Sequence, residues 1–496
     1  MKKKMFQVIV SVLCCISTAV MADGPRYDWT GAVSSDWNVL GNWTTSEITE
    51  PNASSWTVVS LSNGPIISTG STALSDDCKI AENPDTTGKI TVEGGNFTLN
   101  RLYVGYLGSG LLQINSGSTI INGMLVTAYG AMAAGDVNIA GGSLSTGQNI
   151  TLGDWGTSAL NITNGGSLTS TAACYVAGNG TANVLVSGSD SSYQTNGITV
   201  VGLGPATTGT FTVAGGSVSS AMFFVGDNGV ADVNVSSGTL STTGGFVISA
   251  WPAATGTLNV SGGQVNIGSF FFVGDRGNGN VVLSGGTITC NGVLVMNNNT
   301  SQCNESKINL CGGELRIGVI TMETLQGFID AGKIVAYDGE PGYQFLIQAY
   351  GANGLKIKAV SEIDIATNPS PADGSIDERP DVQLSWTPWD GASSQEVYLG
   401  TDHTAVQDAN TGSPLHVATL GATATSYKPA ADLTLGTTYY WKVKEIGSSS
   451  EPEIWSFTIL TCNSPNLGDL NNDCVVDFID FATLAENWLK VIWQDL

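Results

Sequence analysis

Short runs of alternating apolar and polar residues, separated by glycine-rich turns, dominate the chain from about residue 91 to residue 315. Two examples are Asp136-Val137-Asn138-Ile139 and Thr257-Leu258-Asn259-Val260. Apolar residues at every second position predict strands, because successive side chains of a strand point to opposite faces. Helical periodicity is absent from this region, and its glycines are too frequent for long helices.

The strands recur with a fixed period, marked by a Gly-Gly or Ser-Gly pair every 22 to 28 residues or so. An alternating strand precedes each pair, a second follows it, and a third apolar strand closes on a turn, as in Phe223-Phe224-Val225-Gly226-Asp227. Three short strands per repeat predict one coil of a parallel β-helix, in which apolar residues stack inside and polar ones face out. A propeller blade needs about 40 residues, which excludes that architecture.

The Val-Gly-Asp turn and the Leu-Asn-Val-Ser-Gly-Gly element resemble the strand repeats of autotransporter-associated proteins over about residues 91–315. The resemblance implies a β-solenoid like the passenger repeat of those proteins. The translocating barrel of true autotransporters is missing, because other modules fill the C-terminal part.

A solenoid has open sheet edges at both ends, and these must be covered. Residues 23–90 are rich in tryptophan, with Trp29, Trp37 and Trp43 close together, and are predicted to be an N-terminal cap. Residues 316–367 are predicted to be the C-terminal cap and linker, with a short amphipathic helix over residues 322–331. Exposed tryptophans could instead stack on sugars, but burial in the cap is the favoured interpretation.

Residues 368–460 change pattern after the Pro-rich stretch 368–374, which we interpret as a linker. Four alternating strands then predict a β-sandwich, and they begin at Val382, Glu396, Thr437 and Ile454. The elements Leu384-Ser385-Trp386 and Tyr439-Tyr440-Trp441-Lys442-Val443 resemble a fibronectin type III domain. That resemblance implies a spacer or binding module and names no ligand.

The tail, residues 461–496, contains a loop from Asp469 to Asp480 with oxygen-bearing residues at positions 1, 3, 5, 9 and 12. Ca²⁺ prefers six to eight oxygen ligands, and a loop of this length can wrap them around one ion. The predicted calcium ligands are the side chains of Asp469, Asn471, Asp473, Asp477 and Asp480 and the backbone carbonyl of Val475. Apolar residues at helical spacing follow, from Phe481 to Leu489.

These positions resemble a type I dockerin repeat, which implies calcium binding and a cohesin-like partner. The chain departs from that pattern in two ways. Cys474 replaces the usual glycine at position 6, which a disulfide to Cys462 would make tolerable, and one repeat is present where dockerins carry two. Calcium binding is therefore expected, while partner docking and a local structural clip both stay open.

The N-terminus reads as a secretory signal peptide over residues 1–22, with three lysines, a short apolar run and Ala22 at the cleavage point. No other segment is long and apolar enough to span a membrane. We therefore expect an extracellular or cell-surface protein with no transmembrane segment in the mature chain. The net charge of −24 disfavours nucleic acid, whose binding relies on Lys and Arg.

Two of the nine cysteines lie in the signal peptide, so seven remain and at least one stays unpaired. Cys462 and Cys474 are the one disulfide predicted. The pairing of the other five is left open: Cys78, Cys174, Cys290, Cys303 and Cys311.

Some β-helices are polysaccharide lyases or hydrolases, so catalysis was weighed against binding. No Lys, Arg or His lies between Arg101 and Arg276, and the two histidines, His403 and His416, lie in the predicted sandwich. A cationic base on the solenoid is therefore disfavoured. The acids of that stretch are Asp136, Asp154, Asp190, Asp227, Asp232 and Asp275. Three of them, Asp154, Asp227 and Asp275, recur at one turn position, which favours turn chemistry over catalysis.

The sequence as a whole predicts an all-β chain: a parallel β-helix, then a β-sandwich, then a short calcium-binding loop and helix. The favoured function is a secreted or cell-surface, non-enzymatic protein for adhesion, display or scaffolding, docked through its calcium-dependent tail. A polysaccharide or cell-surface glycan is the expected ligand of the solenoid. The alternative is a polysaccharide-degrading enzyme, a glycoside hydrolase or lyase carried on a dockerin-type assembly.

Overall fold

The structure is a computed structural model that describes residues 24–45, 49–297, 305–461, 468–470, 476 and 478–491. The chain folds into two compact units. The first comprises Met1–Gly339 and Ile347–Ala359, and the second comprises Glu340–Leu346 and Val360–Leu496. The fold is mostly β, with 54% strand and 7% helix.

One continuous sheet of 31 strands carries the first part of the chain. Its strands are Arg26–Trp29 (β1), Trp43–Thr44 (β2), Trp56–Val59 (β3), Ile66–Ser68 (β4), Thr72–Leu74 (β5), Asp77–Ile80 (β6), Thr87–Leu99 (β7), Arg101–Val104 (β8), Ser109–Ile121 (β9), Leu125–Thr127 (β10), Ala134–Ala140 (β11), Ser143–Thr146 (β12), Ile150–Leu152 (β13), Thr157–Thr163 (β14), Ser167–Ser170 (β15), Cys174–Val176 (β16), Thr181–Ser187 (β17), Ser192–Thr195 (β18), Ile198–Val201 (β19), Thr208–Ser220 (β20), Met222–Val225 (β21), Val230–Thr242 (β22), Phe246–Ile248 (β23), Thr255–Ile267 (β24), Phe270–Val273 (β25), Asn278–Met296 (β26), Lys307–Leu310 (β27), Glu314–Val319 (β28), Ile334–Ala336 (β29), Tyr343–Tyr350 (β30) and Gly354–Ser361 (β31).

These strands form a β-solenoid of about 11 turns, which confirms the predicted parallel β-helix. Between the two ends of the solenoid, strands pair in parallel with the equivalent strands of the next coil, as β11 does with β14, and β14 with β17. The second strand of each coil stacks likewise, from β12 to β15 to β18. So does the third, from β13 to β16 to β19. The solenoid therefore presents three outer faces, one for each set of strands.

The alternation in sequence explains this arrangement directly. On β14, Leu160 and Ile162 are fully buried, while Asn161 between them is half-buried and points outward. One glycine of each turn is also needed, because the backbone of the next coil passes too close to leave room for a side chain. Gly226 has a φ of 70°, and a Cβ added there would lie 2.7 Å from the carbonyl oxygen of Thr255 in the next coil. Only glycine meets both conditions without strain.

The interior contains two kinds of ladder. Four phenylalanine rings follow one another along the interior with centroids 5.3 to 5.8 Å apart; the middle pair is stacked and the two outer contacts are edge-to-face, in the order Phe211, Phe223, Phe246 and Phe271. A buried hydroxyl ladder follows the ends of the second strands, formed by Thr146, Ser170, Thr195, Ser220 and Thr242. Its members hydrogen-bond one another and nearby turn carbonyls, as Thr195 does with Ser220 at 3.0 Å. Burying these hydroxyls is inexpensive because they are satisfied.

The N-terminal tryptophans are buried, as the cap interpretation predicts. Trp37 is fully buried, Trp43 and Trp29 nearly so, and the Trp43 indole N–H donates to the Trp37 carbonyl at 2.8 Å. Parallel pairing already begins inside this segment, where β3 pairs with β1 and with β6. The coil stacking thus extends into residues predicted to be cap alone.

The C-terminal end of the solenoid contains the predicted helix, Met322–Asp330 (α1), with Thr321 as its N-cap residue. The Thr321 side chain accepts from the Thr324 backbone N–H at 3.2 Å. Strand β31 then pairs antiparallel with β28, the last strand of the second set. This pairing covers residues 314–317 of β28. A 3-10 turn, Tyr337–Gly339, follows β29 here, and a second one, Leu40–Asn42, lies at the N-terminal end of the solenoid.

The second unit has two further sheets. Its strands are Thr367–Ser370 (β32), Ser375–Glu378 (β33), Leu384–Thr387 (β34), Ser394–Gly400 (β35), His416–Gly421 (β36), Ser426–Tyr427 (β37), Thr438–Ile446 (β38) and Trp455–Ile459 (β39), with helices His403–Gln407 (α2) and Phe478–Val491 (α3). One sheet has the order β32-β34-β37, and the other has the order β33-β39-β38-β35-β36. Side chains of both sheets share one core that includes Leu384, Trp386, Trp441 and Phe457. The two sheets thus share one core, and the β-sandwich stays a prediction for this segment.

The Pro-rich segment 368–374 is not a free linker, contrary to the prediction. Its first residues belong to β32, which pairs antiparallel with β34 through Thr367 and Ser370. Pro369 is tolerated because β32 lies at the sheet edge, where a missing N–H breaks no ladder.

Candidate functional site

The C-terminal loop is only partly within the described residues. Asp469 and Asp480 are described. The other predicted ligands and the predicted disulfide, namely Asn471, Asp473, Val475, Asp477, Cys462 and Cys474, lie outside the described residues.

Asp480 lies in the first turn of α3 and is almost completely buried, at 3% exposure. Its Oδ1 accepts a hydrogen bond of 2.7 Å from the backbone N–H of Leu470. Leu470 directly follows Asp469, so this bond brings the start of the loop to its last position. A carboxylate in the first helical turn is also stabilised by the helix dipole. Only two of the six predicted ligands are described, and the described residues contain no group of three or more His, Cys, Asp or Glu side chains that could hold a metal ion.

The first outer face of the solenoid carries an amide column. Asn138 donates to Gln113 at 3.1 Å, and Asn161 donates to Asn138 at 2.9 Å. Asn259 donates to Asn234 at 2.9 Å farther along the same column. These amides bond one another along the axis and thereby stabilise the stacking of coils.

The second outer face carries two columns of hydroxyl and amide side chains, which we call the hydroxyl face. One column is Asn96, Ser118, Ser143, Ser167, Ser192, Ser217, Thr239, Gln264 and Thr287. The other is Thr98, Ile120, Ser145, Thr169, Gln194, Ser219, Ser241, Asn266 and Thr289. The residues between the columns, such as Leu144 and Leu168, are buried in the interior. The hydroxyl face was not recognised in sequence, because its columns appear only when the coils are in register.

The third outer face is apolar. Tyr175, Val200, Phe224 and Val247 lie in one outward column and bury one another, although they lie outside the solenoid interior. Trp251 is among the partly buried residues packed against this column. Mutual coverage along the column explains how apolar side chains are tolerated on an outer surface.

An aromatic cluster marks the N-terminal part of the same face. Tyr106 and Tyr129 stack with centroids 4.8 Å apart, and Tyr103 meets both edge-on. The Lys79 ammonium lies 4.1 Å from the Tyr106 centroid and 5.0 Å from that of Trp56. It also pairs with Glu82 at 3.1 Å. The positive charge of Lys79 is therefore compensated by Glu82 and by the faces of the two aromatic rings.

The three aspartates predicted to share a turn position do share it. Each follows a glycine with positive φ: Gly153 precedes Asp154, Gly226 precedes Asp227 and Gly274 precedes Asp275. Burial raises the pKa of Asp154, while a hydrogen bond from Asn179 acts in the opposite direction. Burial alone raises the pKa of Asp227 to about 6. The other acids differ: Asp136 accepts from the Ala159 N–H, and Asp190 and Asp232 lie outside this turn column.

Four cysteines within the described residues are free thiols: Cys78, Cys174, Cys290 and Cys311. Cys78 and Cys174 are fully buried among the inward residues of the third strands, and burial raises the pKa of each thiol to about 12. Cys303 lies outside the described residues. Three of the four described thiols, Cys78, Cys174 and Cys290, therefore fill space in the core, as buried cysteine commonly does, while Cys311 is partly exposed.

No helix within the described residues is both long and apolar enough to cross a membrane. Comparisons with protein-family models, with curated proteins and with solved structures found no match to this chain.

Proposed function

We propose that the chain is an exported, non-enzymatic display protein, in which the solenoid presents long binding faces and the C-terminal loop docks the molecule through calcium. The solenoid supplies a rod whose outer side chains repeat coil after coil. The tail supplies the attachment, with a cohesin-like protein as the expected partner. The oxygen ligands would be those of Asp469, Asn471, Asp473, Val475, Asp477 and Asp480.

The observation that carries this proposal is the hydrogen bond from the Leu470 N–H to Asp480. An isolated acidic loop has no reason to bring its two ends together, because its carboxylates repel one another. A loop built for Ca²⁺ needs that closure, since ligands from its start and its end must reach one ion. The burial of Asp480 supports the same interpretation, because a buried carboxylate requires compensation.

Calcium binding by the full mature chain tests the proposal. Isothermal titration with CaCl₂ is expected to give one saturable site that is lost in the double variant Asp469→Ala, Asp473→Ala. The control is Asp190→Asn, which removes an exposed solenoid carboxylate. Equal calcium binding by the double variant would refute the tail assignment.

Capture of envelope and secreted proteins by the same chains, with calcium or with chelator, then tests docking. A protein captured only by the calcium-loaded wild type is the expected result. Calcium binding without capture would reduce the tail to a structural clip.

One observation favours the alternative of a polysaccharide-degrading enzyme. Asp227 has a raised pKa, and Asp275 lies two coils away, which places equivalent atoms about 9–10 Å apart. That distance is near the upper end of the roughly 6.5–9.5 Å that separates the acid and base of inverting glycosidases. Release of reducing sugar from a glycan panel, abolished by Asp227→Asn, would establish this alternative and overturn the non-enzymatic proposal.

A further inference from the structure

The hydroxyl face is uncharged, although the chain is strongly acidic. It spans nine successive coils from Asn96 to Thr287, and thirteen of its eighteen outward positions are Ser or Thr. None of the eighteen is charged, whereas the whole chain has a net charge of −24. The first charged pair in these columns comes one coil later, at Glu314 and Arg316.

Most of these hydroxyls have no protein partner within the described residues. Ser118 donates to Asn96 at 2.6 Å, and Ser143 has a long contact of 3.4 Å with the Gly117 carbonyl. The other eleven form no side-chain hydrogen bond to another described residue: Thr98, Ser145, Ser167, Thr169, Ser192, Ser217, Ser219, Thr239, Ser241, Thr287 and Thr289. The buried hydroxyl ladder at the ends of the same strands is, by contrast, satisfied internally. The outward set is therefore available to a ligand.

The backbone fixes the spacing of the array. Equivalent residues of successive coils lie about 4.7–4.9 Å apart, and the two columns lie about 6.6–6.8 Å apart on each strand. Buried neighbours such as Leu144, Leu168 and Val218 anchor every strand from below. The result is a rigid lattice of donors and acceptors, which loses little side-chain entropy on binding because Ser and Thr are short.

The area of the face indicates the kind of ligand. Nine coils of four-residue strands present roughly 550 Å², which is less than the roughly 800 Å² per partner of a stable protein–protein interface. The face also lacks the aromatic and arginine anchors that dominate such interfaces. A repeating ligand that makes many weak, equivalent contacts suits it better than a folded partner.

We propose that the hydroxyl face binds the surface of a solid, uncharged polysaccharide, such as a crystalline β-glucan or chitin. Ordered hydroxyl groups of such a solid can donate to and accept from the Ser and Thr columns without any charge to desolvate. Five longer side chains interrupt the array, namely Asn96, Ile120, Gln194, Gln264 and Asn266. That unevenness disfavours a match to ice, whose lattice is uniform, and is compatible with the corrugated surface of a polymer. The inference rests on the proposed binding role of the solenoid and is independent of the calcium tail.

Binding of the full mature chain to microcrystalline cellulose and to chitin powder tests the proposal. The face variant Thr169→Asp, Ser219→Asp, Asn266→Asp places one carboxylate on every second coil of the hydroxyl face. The matched control Leu185→Asp, Asn234→Asp, Val282→Asp places three carboxylates at the same spacing on the first face. Thermal melts of both establish that each variant is folded.

The wild type and the control are expected to bind at least one solid, and the face variant is expected to bind it about tenfold more weakly, because it must desolvate carboxylates. Equal loss in both variants, or no binding of either solid by the wild type, would overturn the assignment. So would inhibition of ice recrystallisation by a wild type that binds neither solid. Soluble cello- and chito-oligosaccharides that bind as tightly as the solids would refute recognition of a surface. Chelator and the Asp469→Ala, Asp473→Ala variant are expected to leave binding unchanged, so failure here is separable from failure of the calcium proposal.

Discussion

Glu445 in the second unit makes the stability of that unit depend on pH. It lies on β38 on the same side as Trp441 and Val443, which belong to the core, and is only 3% exposed. Its Oε1 accepts from the Trp389 backbone N–H at 3.1 Å, while Oε2 has no hydrogen-bond partner within the described residues. A carboxylate in this position would be buried with half of its hydrogen-bonding capacity unmet.

Burial raises the pKa of Glu445 from its ordinary value of 4.5 to about 7, with the Trp389 hydrogen bond acting in the opposite direction. Below pH 4.5 the carboxyl is protonated in both states and carries no penalty. Between pH 4.5 and 7 the unfolded chain ionises first, so the stability of the unit falls as the pH rises. The full shift corresponds to about 3 kcal/mol. Relaxation of the protein around the buried charge reduces our expectation to about 1–2 kcal/mol.

Glu445→Gln removes the ionisable group and keeps an acceptor for the Trp389 N–H. The difference in free energy of unfolding, variant minus wild type, is expected to be about 1–2 kcal/mol larger at pH 8 than at pH 4.5. Urea unfolding of the full mature chain at a series of pH values measures this difference. The control is Glu362→Gln, an exposed residue of the same unit that changes the net charge equally. A difference independent of pH, or an equal gain in the control, would refute the reasoning.

Three further predictions concern the solenoid. Phe223→Ala removes a fully buried ring from the phenylalanine ladder and is expected to lower the free energy of unfolding by about 3–5 kcal/mol, as measured with urea. A decrease of less than about 1 kcal/mol would contradict the packing of these rings. Arg101→Met leaves the fully buried Asp77 carboxylate unpaired and is expected to cost about 3–5 kcal/mol, most of which the added change Asp77→Asn should restore in the same assay. Cys174, with its pKa raised to about 12, is expected to resist alkylation at pH 8 while the partly exposed Cys311 reacts, as peptide mapping by mass spectrometry would show.

The solenoid was predictable because its signals are local. Alternation in each strand indicates which side chains point inward, and the glycine pairs mark where each coil turns. Both follow from the backbone alone. Burial of Trp37 and Trp43 was predicted on a different ground, namely that tryptophans in a cap are more often buried than exposed, and both are buried. The boundary at residue 91 was less accurate, because β3 stacks in parallel with β6 without the glycine pair that marked the later coils.

Other features depend on contacts between coils, which a single sequence does not display. Thr195 and Ser220 look like outward polar residues, yet they are buried, since a neighbouring coil satisfies their hydroxyls. Glu445 falls on an alternating strand, where its position alone would suggest an apolar residue. Its buried carboxylate is held by the backbone N–H of Trp389, which is far away in sequence. The predicted calcium loop differs from both, because the spacing of its predicted ligands can be read from twelve consecutive residues.

The distribution of charge on the solenoid gives the strongest reason to regard the hydroxyl face as functional. Packing constrains the inward positions and leaves the outward ones free, and exposed strand positions commonly carry charge to remain soluble. Between Arg101 and Arg276 the chain has six acids and no base. Asp136 and Asp232 lie on the first face, and the other four lie outside the columns of the second. Charge is thus tolerated on the first face and in the turns but absent from the hydroxyl face over nine coils, although that face, unlike the apolar third face, is polar. An uncharged, hydrogen-bonding surface of that length is what an uncharged, repeating ligand needs.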